Sequence, residues 1–154
     1  MFNLENLSQY REDKRIEAKK ATGGLPESIW ETYSAFANTD GGVILLGVVE
    51  NEDKSLRAID LTDPEGLIMD FWELVNDPAV ASVNVLTDDR VTVENVDGKH
   101  IVAIRVPRAK AQERPVFVHG DLLQGTYVRC GESDLRCSPE QIQAMIYEQG
   151  SDSP

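Results

Sequence analysis

A chain of 154 residues with a net charge of −12 can bury a core of its own, but it is too acidic simply to coat nucleic acid, because phosphate binding rests on Lys and Arg. Its hydrophobic and charged fractions, 41% and 27%, are those of a globular domain rather than a disordered or fibrous chain. No apolar run approaches the ~18 residues of a membrane span, and the start, Met1-Phe2-Asn3-Leu4-Glu5, lacks the basic-then-apolar layout of a secretion signal.

Two cysteines, Cys130 and Cys137, make no disulfide framework, and with only His100 and His119 beside them they make no zinc spacing. Reduced thiols in a cytoplasmic protein without a membrane partner are therefore expected. The charge is segregated. Residues 11–20 carry Arg11, Lys14, Arg15, Lys19 and Lys20 against three acids, whereas residues 21–98 carry 16 acids against Lys54, Arg57 and Arg90. Residues 99–136 turn basic again, with seven bases against four acids. Two basic segments flank an acidic middle, and a fold that brings them onto one face would present a local cationic surface.

In chain order, Leu4 and Leu7 suit a short N-terminal helix or turn, and K-R-I-E-A-K-K-A (14–21) fits a strand with one polar face, a helix being nearly as possible. Thr22-Gly23-Gly24 breaks the chain. Pro26, with Glu27 and Glu31 in the early turns, opens a helix whose buried face is Ile29, Tyr33 and Phe36, with Trp30 and Ala37 beside them. Asn38, Asp40, Gly41 and Gly42 are expected to form the turn that stops it. Val43 to Val49 follows as one strand without a polar residue, which predicts the centre of a sheet covered on both faces.

Leu56 to Ile59 reads as a short returning strand. Thr62-Asp63-Pro64-Glu65 starts a second helix by capping, proline and dipole together, with Leu67, Ile68, Phe71, Trp72, Leu74 and Val75 as its apolar face. Val83 and Val85 alternate as in a strand, as do Val91 and Val93. Asp97-Gly98 is a two-residue hairpin signal, and His100, Val102, Ile104 and Val106 share one core-facing parity in the return strand. Val116-Phe117-Val118 and Thr126 to Arg129 look like two further strands. Ser138-Pro139-Glu140-Gln141 opens a last helix with Ile142, Met145 and Ile146 inward. Residues 150–154 read as a tail or the start of a linker, leaving 1–149 as the domain.

The expected fold is therefore α+β or mixed α/β: one domain, a mixed central sheet of about six to eight strands and about three helices. Gly41-Gly42 stands after a helix and before a strand, the reverse of a phosphate loop, and no Gly-Lys-Ser or Gly-Lys-Thr is present, so no ATP site is expected. Glu12 and Glu17, with Lys19, are a different signal. On a strand Glu17 and Lys19 share a face. Clustered carboxylates beside a lysine suit a divalent-metal phosphodiesterase, in which acids hold Mg²⁺ or Mn²⁺ and a cation offsets phosphate charge. A third acid would come from Glu50, Glu52 or Asp53. From spacing alone, a charged strand face paired into solvent salt bridges is the favoured reading, since carboxylates at this density also arise by chance in a chain with 27 acids.

Three separated motifs carry a resemblance. E-D-K-R-I-E-A-K (Glu12 to Lys19), S-A-F-A-N-T-D-G-G-V-I-L-L-G-V (Ser34 to Val48), and R-P-V-F-V followed by G-T-Y-V-R-C-G-E-S (Arg114 to Ser133) resemble, in order and spacing, the Schlafen AlbA_2 family, also labelled "divergent AAA-4". The resemblance covers roughly residues 7–147 and implies an AlbA_2-like fold with DNA or RNA as partner. Some Schlafen proteins are metal-dependent endoribonucleases with a carboxylate triad; the matching positions are Glu12, Glu17 and, after Gly47-Val48-Val49, Glu50 where an aspartate is usual. Bacterial members are commonly the N-terminal part of a longer transcription regulator with a winged-helix region behind. The leading expectation is thus a cytoplasmic nucleic-acid-binding regulatory domain contacting phosphates through Lys14, Arg15, Lys19, Lys20, Arg108, Lys110, Arg114 and Arg129. A metal-dependent endoribonuclease using Glu12, Glu17, Glu50 and Lys19, and a homo-oligomerisation or sensor module, are the alternatives.

Overall fold

The structure, a computed structural model, describes residues 3–151. Its centre is a four-stranded sheet in the order β1 (Ile16–Lys19), β2 (Gly42–Leu46), β6 (Lys99–Val106), β5 (Val91–Val96). β1 runs parallel to β2, and the other neighbours are antiparallel. β2 is apolar throughout because the sheet is covered twice. Ile44 and Leu46 face one core with α1 (Ile29–Asn38) and α2 (Pro64–Val75); Val43 and Leu45 face a second with Leu7, Leu56 and Ala58. Ile44, Leu45 and Leu46 are each 0% exposed, burial that contributes about 1.5–3 kcal/mol per side chain.

The expected seven-residue strand is broken by Gly47, whose φ of +85° turns the chain out of the sheet. Val48–Glu50 (β3) then pairs with Leu56–Ala58 (β4) as a separate ladder. The eight strands of the described residues are accordingly divided between the central sheet and two two-stranded ladders. α2 begins as the sequence dictates: Asp63 accepts a hydrogen bond from the Gly66 N–H at 3.0 Å and Pro64 fills the first turn. Asp97 and Gly98 both have positive φ, 53° and 79°, the geometry of a tight hairpin turn between β5 and β6.

Several expectations are corrected. Val83 and Val85 lie on extended chain outside any strand, because their backbone partner is a side chain: the Tyr33 hydroxyl donates to the Val83 carbonyl at 2.7 Å and accepts from the Val85 N–H at 3.0 Å. Residues 116–118 make only isolated bridges. The partner of β7 (Tyr127–Cys130) is β8 (Ser133–Arg136), a polar segment whose sequence gives no strand signal. His100 is exposed at the start of β6 rather than packed, with Asp60 3.2 Å from its Nδ1. In α3 (Pro139–Ser151) Ile142 is buried but Ile146 is 44% exposed. Gly150 and Ser151 belong to that helix, while 152–154 and Met1-Phe2 lie outside the described residues. Among the described residues no helix is long and apolar enough to cross a membrane.

Candidate functional site

The three motifs are bound to one another by side chains that replace strand neighbours. Asn38, at the last position of α1, donates to the carbonyls of Val116 and Tyr127, both at 2.9 Å, and accepts from the Val116 N–H at 2.8 Å. Ser34, one turn earlier, donates to the Val116 carbonyl at 2.7 Å and accepts from the Tyr127 N–H at 3.0 Å. The expectation that Asn38 closes the turn is therefore corrected. The turn is closed by backbone, Thr39 and Gly41 both donating to the Phe36 carbonyl. Asn38 is a clamp between α1 and the 116–130 segment.

Arg129 makes the other join. Its guanidinium is 0% exposed, lies 4.9 Å over the Phe36 ring, and pairs with Glu17 at 2.9 Å and Asp134 at 2.7 Å. It also donates to the carbonyls of Asp13 and Ile16 at 2.8 and 3.0 Å. A guanidinium so enclosed has no edge left for a phosphate, which corrects its expected role as a nucleic-acid contact. Arg114 is corrected on the same ground: it is 7% exposed, donates to the Ala109 carbonyl, and pairs with Glu148 at 3.2 Å.

Glu12 and Glu17 share a hydrogen bond at the free edge of β1, and the charge of Glu50 reaches Glu12. Glu12 accepts the Ala18 N–H at 2.9 Å, satisfying one donor of that edge. Burial first, then the charge of Glu17, a hydrogen bond shared with it and the charge of Glu50 push the Glu12 carboxyl up to about 7, against the pull of the Ala18 bond. Glu17 and Lys19 lie opposite Ile44 and Leu46, hence on one face, and are 3.6 Å apart; Lys19 also donates to the Ser28 hydroxyl at 2.9 Å. The carboxylates do not fit a bound Mg²⁺ or Mn²⁺ as placed. Glu17 is already neutralised by Arg129 and Lys19, and among the described residues no three His, Cys, Asp or Glu side chains form a metal-ligand set.

The basic residues that remain accessible meet elsewhere. At the end of the sheet where β1 and β2 begin and β6 ends, a cleft of about 550 Å³ is lined by Arg15, Arg90, Arg105 and Arg108, with Asp13 and Asp40. Arg15 is fixed by its carbonyl, which accepts from the Val43 N–H at 2.8 Å. Arg108 is brought in by Gly41: at φ +75° a Cβ there would stand 2.8 Å from the Val106 carbonyl oxygen and 3.0 Å from the Arg108 nitrogen, so only glycine lets the segment approach. An adjoining depression of about 380 Å³ shares Arg90 and Arg108 and adds Lys110. Lys14 stands exposed, 3.8 Å from Asp40, and Lys20 is exposed beyond β1. A further hollow of about 420 Å³, lined by Asp60, Asp63 and Asp70, has the wrong sign for a phosphate.

Sequence reasoning missed Arg90 and Arg105. Arg105 had a signal, a lone charge in the apolar run I-V-A-I-R-V. Arg90 had none, standing alone in the acidic middle segment.

Residues 12–138 match the family described as Schlafen, AlbA_2. Among solved structures, the N-terminal domain of a RecG-related protein from Nitrosomonas europaea is 32% identical, with a TM-score of 0.64 over 89% of this chain and 94% of that one. The DIP2311 protein from Corynebacterium diphtheriae is 19% identical, with a TM-score of 0.58 over 92% of this chain but only 24% of that one, a likeness of fold alone. No curated protein matches the chain. The family match runs through all three motifs that Asn38, Ser34 and Arg129 hold together, and the chain belongs to the Schlafen AlbA_2 family.

Proposed function

We propose that the chain is a nucleic-acid-binding regulatory domain of transcription-regulator type, the N-terminal part of a longer protein, and that it binds through the arginine-lined end of its sheet. One observation carries this reading. Arg15, from the first basic segment, and Arg105 and Arg108, from the second, line a single cleft in a protein whose net charge is −12. Such a local reversal of sign concentrates a polyanion where the rest of the surface repels it. The similarity to the N-terminal domain of a RecG-related protein, itself named for an ATP-dependent DNA helicase, points the same way.

The test is a fluorescence-anisotropy titration of single-stranded and duplex DNA and RNA at low ionic strength. We expect affinity that falls steeply with salt and is weakened by Arg108→Glu, a change at an exposed position. Salt-independent binding, or none to any of the four ligands, sinks the reading. Cleavage is the rival raised by the carboxylates of the first motif, although as placed Glu17 is taken by Arg129 and Lys19 and, among the described residues, no metal-ligand set forms. Structured RNA incubated with Mn²⁺ and either wild type or Glu12→Gln separates the two: RNA left intact by both leaves binding alone, and cutting by wild type only establishes the nuclease.

A further inference from the structure

The arginine cleft is denser in charge than a track for a passing strand requires. Its four arginines come from four places in the chain: before β1, in the short turn before β5, within β6 and just beyond it. Among the described residues the guanidiniums of Arg15, Arg90 and Arg108 have no hydrogen bond or ion pair. Arg105 is held by Thr92 at 3.2 Å and by Glu94 at 3.9 Å, with its side chain 41% exposed. The two acids of the cleft are occupied locally, since Asp13 accepts the Arg15 backbone N–H at 2.7 Å and Asp40 faces Lys14 at 3.8 Å. The cleft lining thus carries four arginines against two aspartates, a local excess of positive charge, with Glu94 beside Arg105 as a further partial counter-charge.

We infer that this cleft seats a phosphomonoester dianion, carried at the end of a nucleic-acid strand or by a free nucleotide. The inference rests on the nucleic-acid reading above and adds which part of the ligand is recognised. A phosphodiester offers one negative charge and two free oxygens. A terminal phosphate carries about −1.5 to −2 at pH 7 and offers three strong acceptors, the better match for a cleft lined by four arginines against two aspartates. The cleft, about 550 Å³ and half-open to solvent, lies in the size range of small-ligand sites, roughly 300–1,000 Å³. The adjoining depression, with Arg90, Arg108 and Lys110, gives the attached nucleotides a basic exit. The fold also accounts for the seat's rigidity: Gly41 presses the Val106–Arg108 segment against the start of β2, and the Arg15 carbonyl is bonded to Val43.

The experiment titrates the whole 154-residue chain with one single-stranded oligonucleotide in three forms: 5′-phosphate, 3′-phosphate, and hydroxyl at both ends. A nucleoside monophosphate serves as competitor. We expect one phosphorylated form to bind roughly tenfold more tightly than the hydroxyl form, and the preference to fade as pH falls below about 6, where the dianion gains a proton. Arg15→Gln with Arg108→Gln should bring the phosphorylated form down to the level of the hydroxyl form, with an unchanged melting temperature showing that the fold is intact. Competition by the mononucleotide assigns the seat to nucleotides in general, and its absence to strand ends. Equal affinity for all three oligonucleotides, or a preference that survives the double substitution, overturns the inference while leaving nucleic-acid binding standing. Binding of the mononucleotide alone keeps the seat and removes the polynucleotide reading; binding of nothing removes both.

Discussion

Arg129 shows how one side chain can be read for the wrong purpose. An arginine in a Y-V-R motif near a basic segment suggests a phosphate contact, yet its guanidinium pairs with Glu17 and Asp134 at zero exposure and ties the first motif to the third. Arg129→Ala would remove the buried cation from Asp134, leave Glu17 with Lys19 alone and take the guanidinium bonds from the Asp13 and Ile16 carbonyls, so a loss of about 3–5 kcal/mol in urea unfolding is expected. Arg129→Lys should rescue little, because an ammonium cannot reproduce the fork. Glu12 gives the pH dependence. Its carboxyl is raised from 4.5 to about 7 in the fold, so the native state holds a proton that the unfolded state has released across that window. The contribution of Glu12 to stability therefore falls as pH rises from about 4.5 to about 7 and does not change outside that window. Glu12→Gln should be indistinguishable from wild type below the window and more stable above it, by about 1–2 kcal/mol once solvent screening is allowed for. Denaturant titrations at several pH values check this, and a difference of the opposite sign would refute it.

At the scale of elements, the glycines separate two kinds of necessity. Gly98 (φ +79°) meets nothing within 4 Å, so Gly98→Ala bears only the left-handed backbone, a cost of about 1 kcal/mol. Gly41 combines φ +75° with backbone atoms of Val106 and Arg108 at 2.8 and 3.0 Å, so Gly41→Ala should cost more than about 2 kcal/mol. It should also weaken nucleic-acid binding, because the segment carrying Arg108 must move. Paired melting curves check the stabilities, and equal losses for the two variants would contradict the geometry. The same contrast explains the division of strands. Gly47 was legible only as part of an apolar run; that the run leaves the sheet there follows from its φ of +85° and from Leu61, whose Cγ lies 2.7 Å from where a Cβ would stand.

For the whole molecule, an acidic protein with one cationic end should bind with a strong salt dependence in spite of its overall charge. In a log–log plot of affinity against salt, Arg108→Ala and Lys110→Ala should each reduce the slope by about 1, since each removes one phosphate contact. Arg136→Ala, in β8 and outside the cleft, should leave it unchanged. Slopes that move equally for all three would mean diffuse attraction rather than a site.

The amino-acid sequence by itself determined that the helices form, the hairpin at Asp97-Gly98 and the doubly covered strand at Val43, because these depend on turn chemistry and local periodicity, although α1 starts at Ile29, after Pro26 and Glu27, without a side-chain cap. It also carried the three motifs. Only the tertiary structure decided what those motifs do for one another and which bases remain free. β8 was invisible because its pairing with β7 is not written in its own polar residues, and Val83-Val85 misled because a tyrosine hydroxyl takes the place of a strand neighbour. Arg15 and Arg108 were foreseen as basic residues on separated segments. That they meet with Arg90 and Arg105, while Arg114 and Arg129 turn inward, depends on contacts between residues far apart in the chain, which no local pattern encodes.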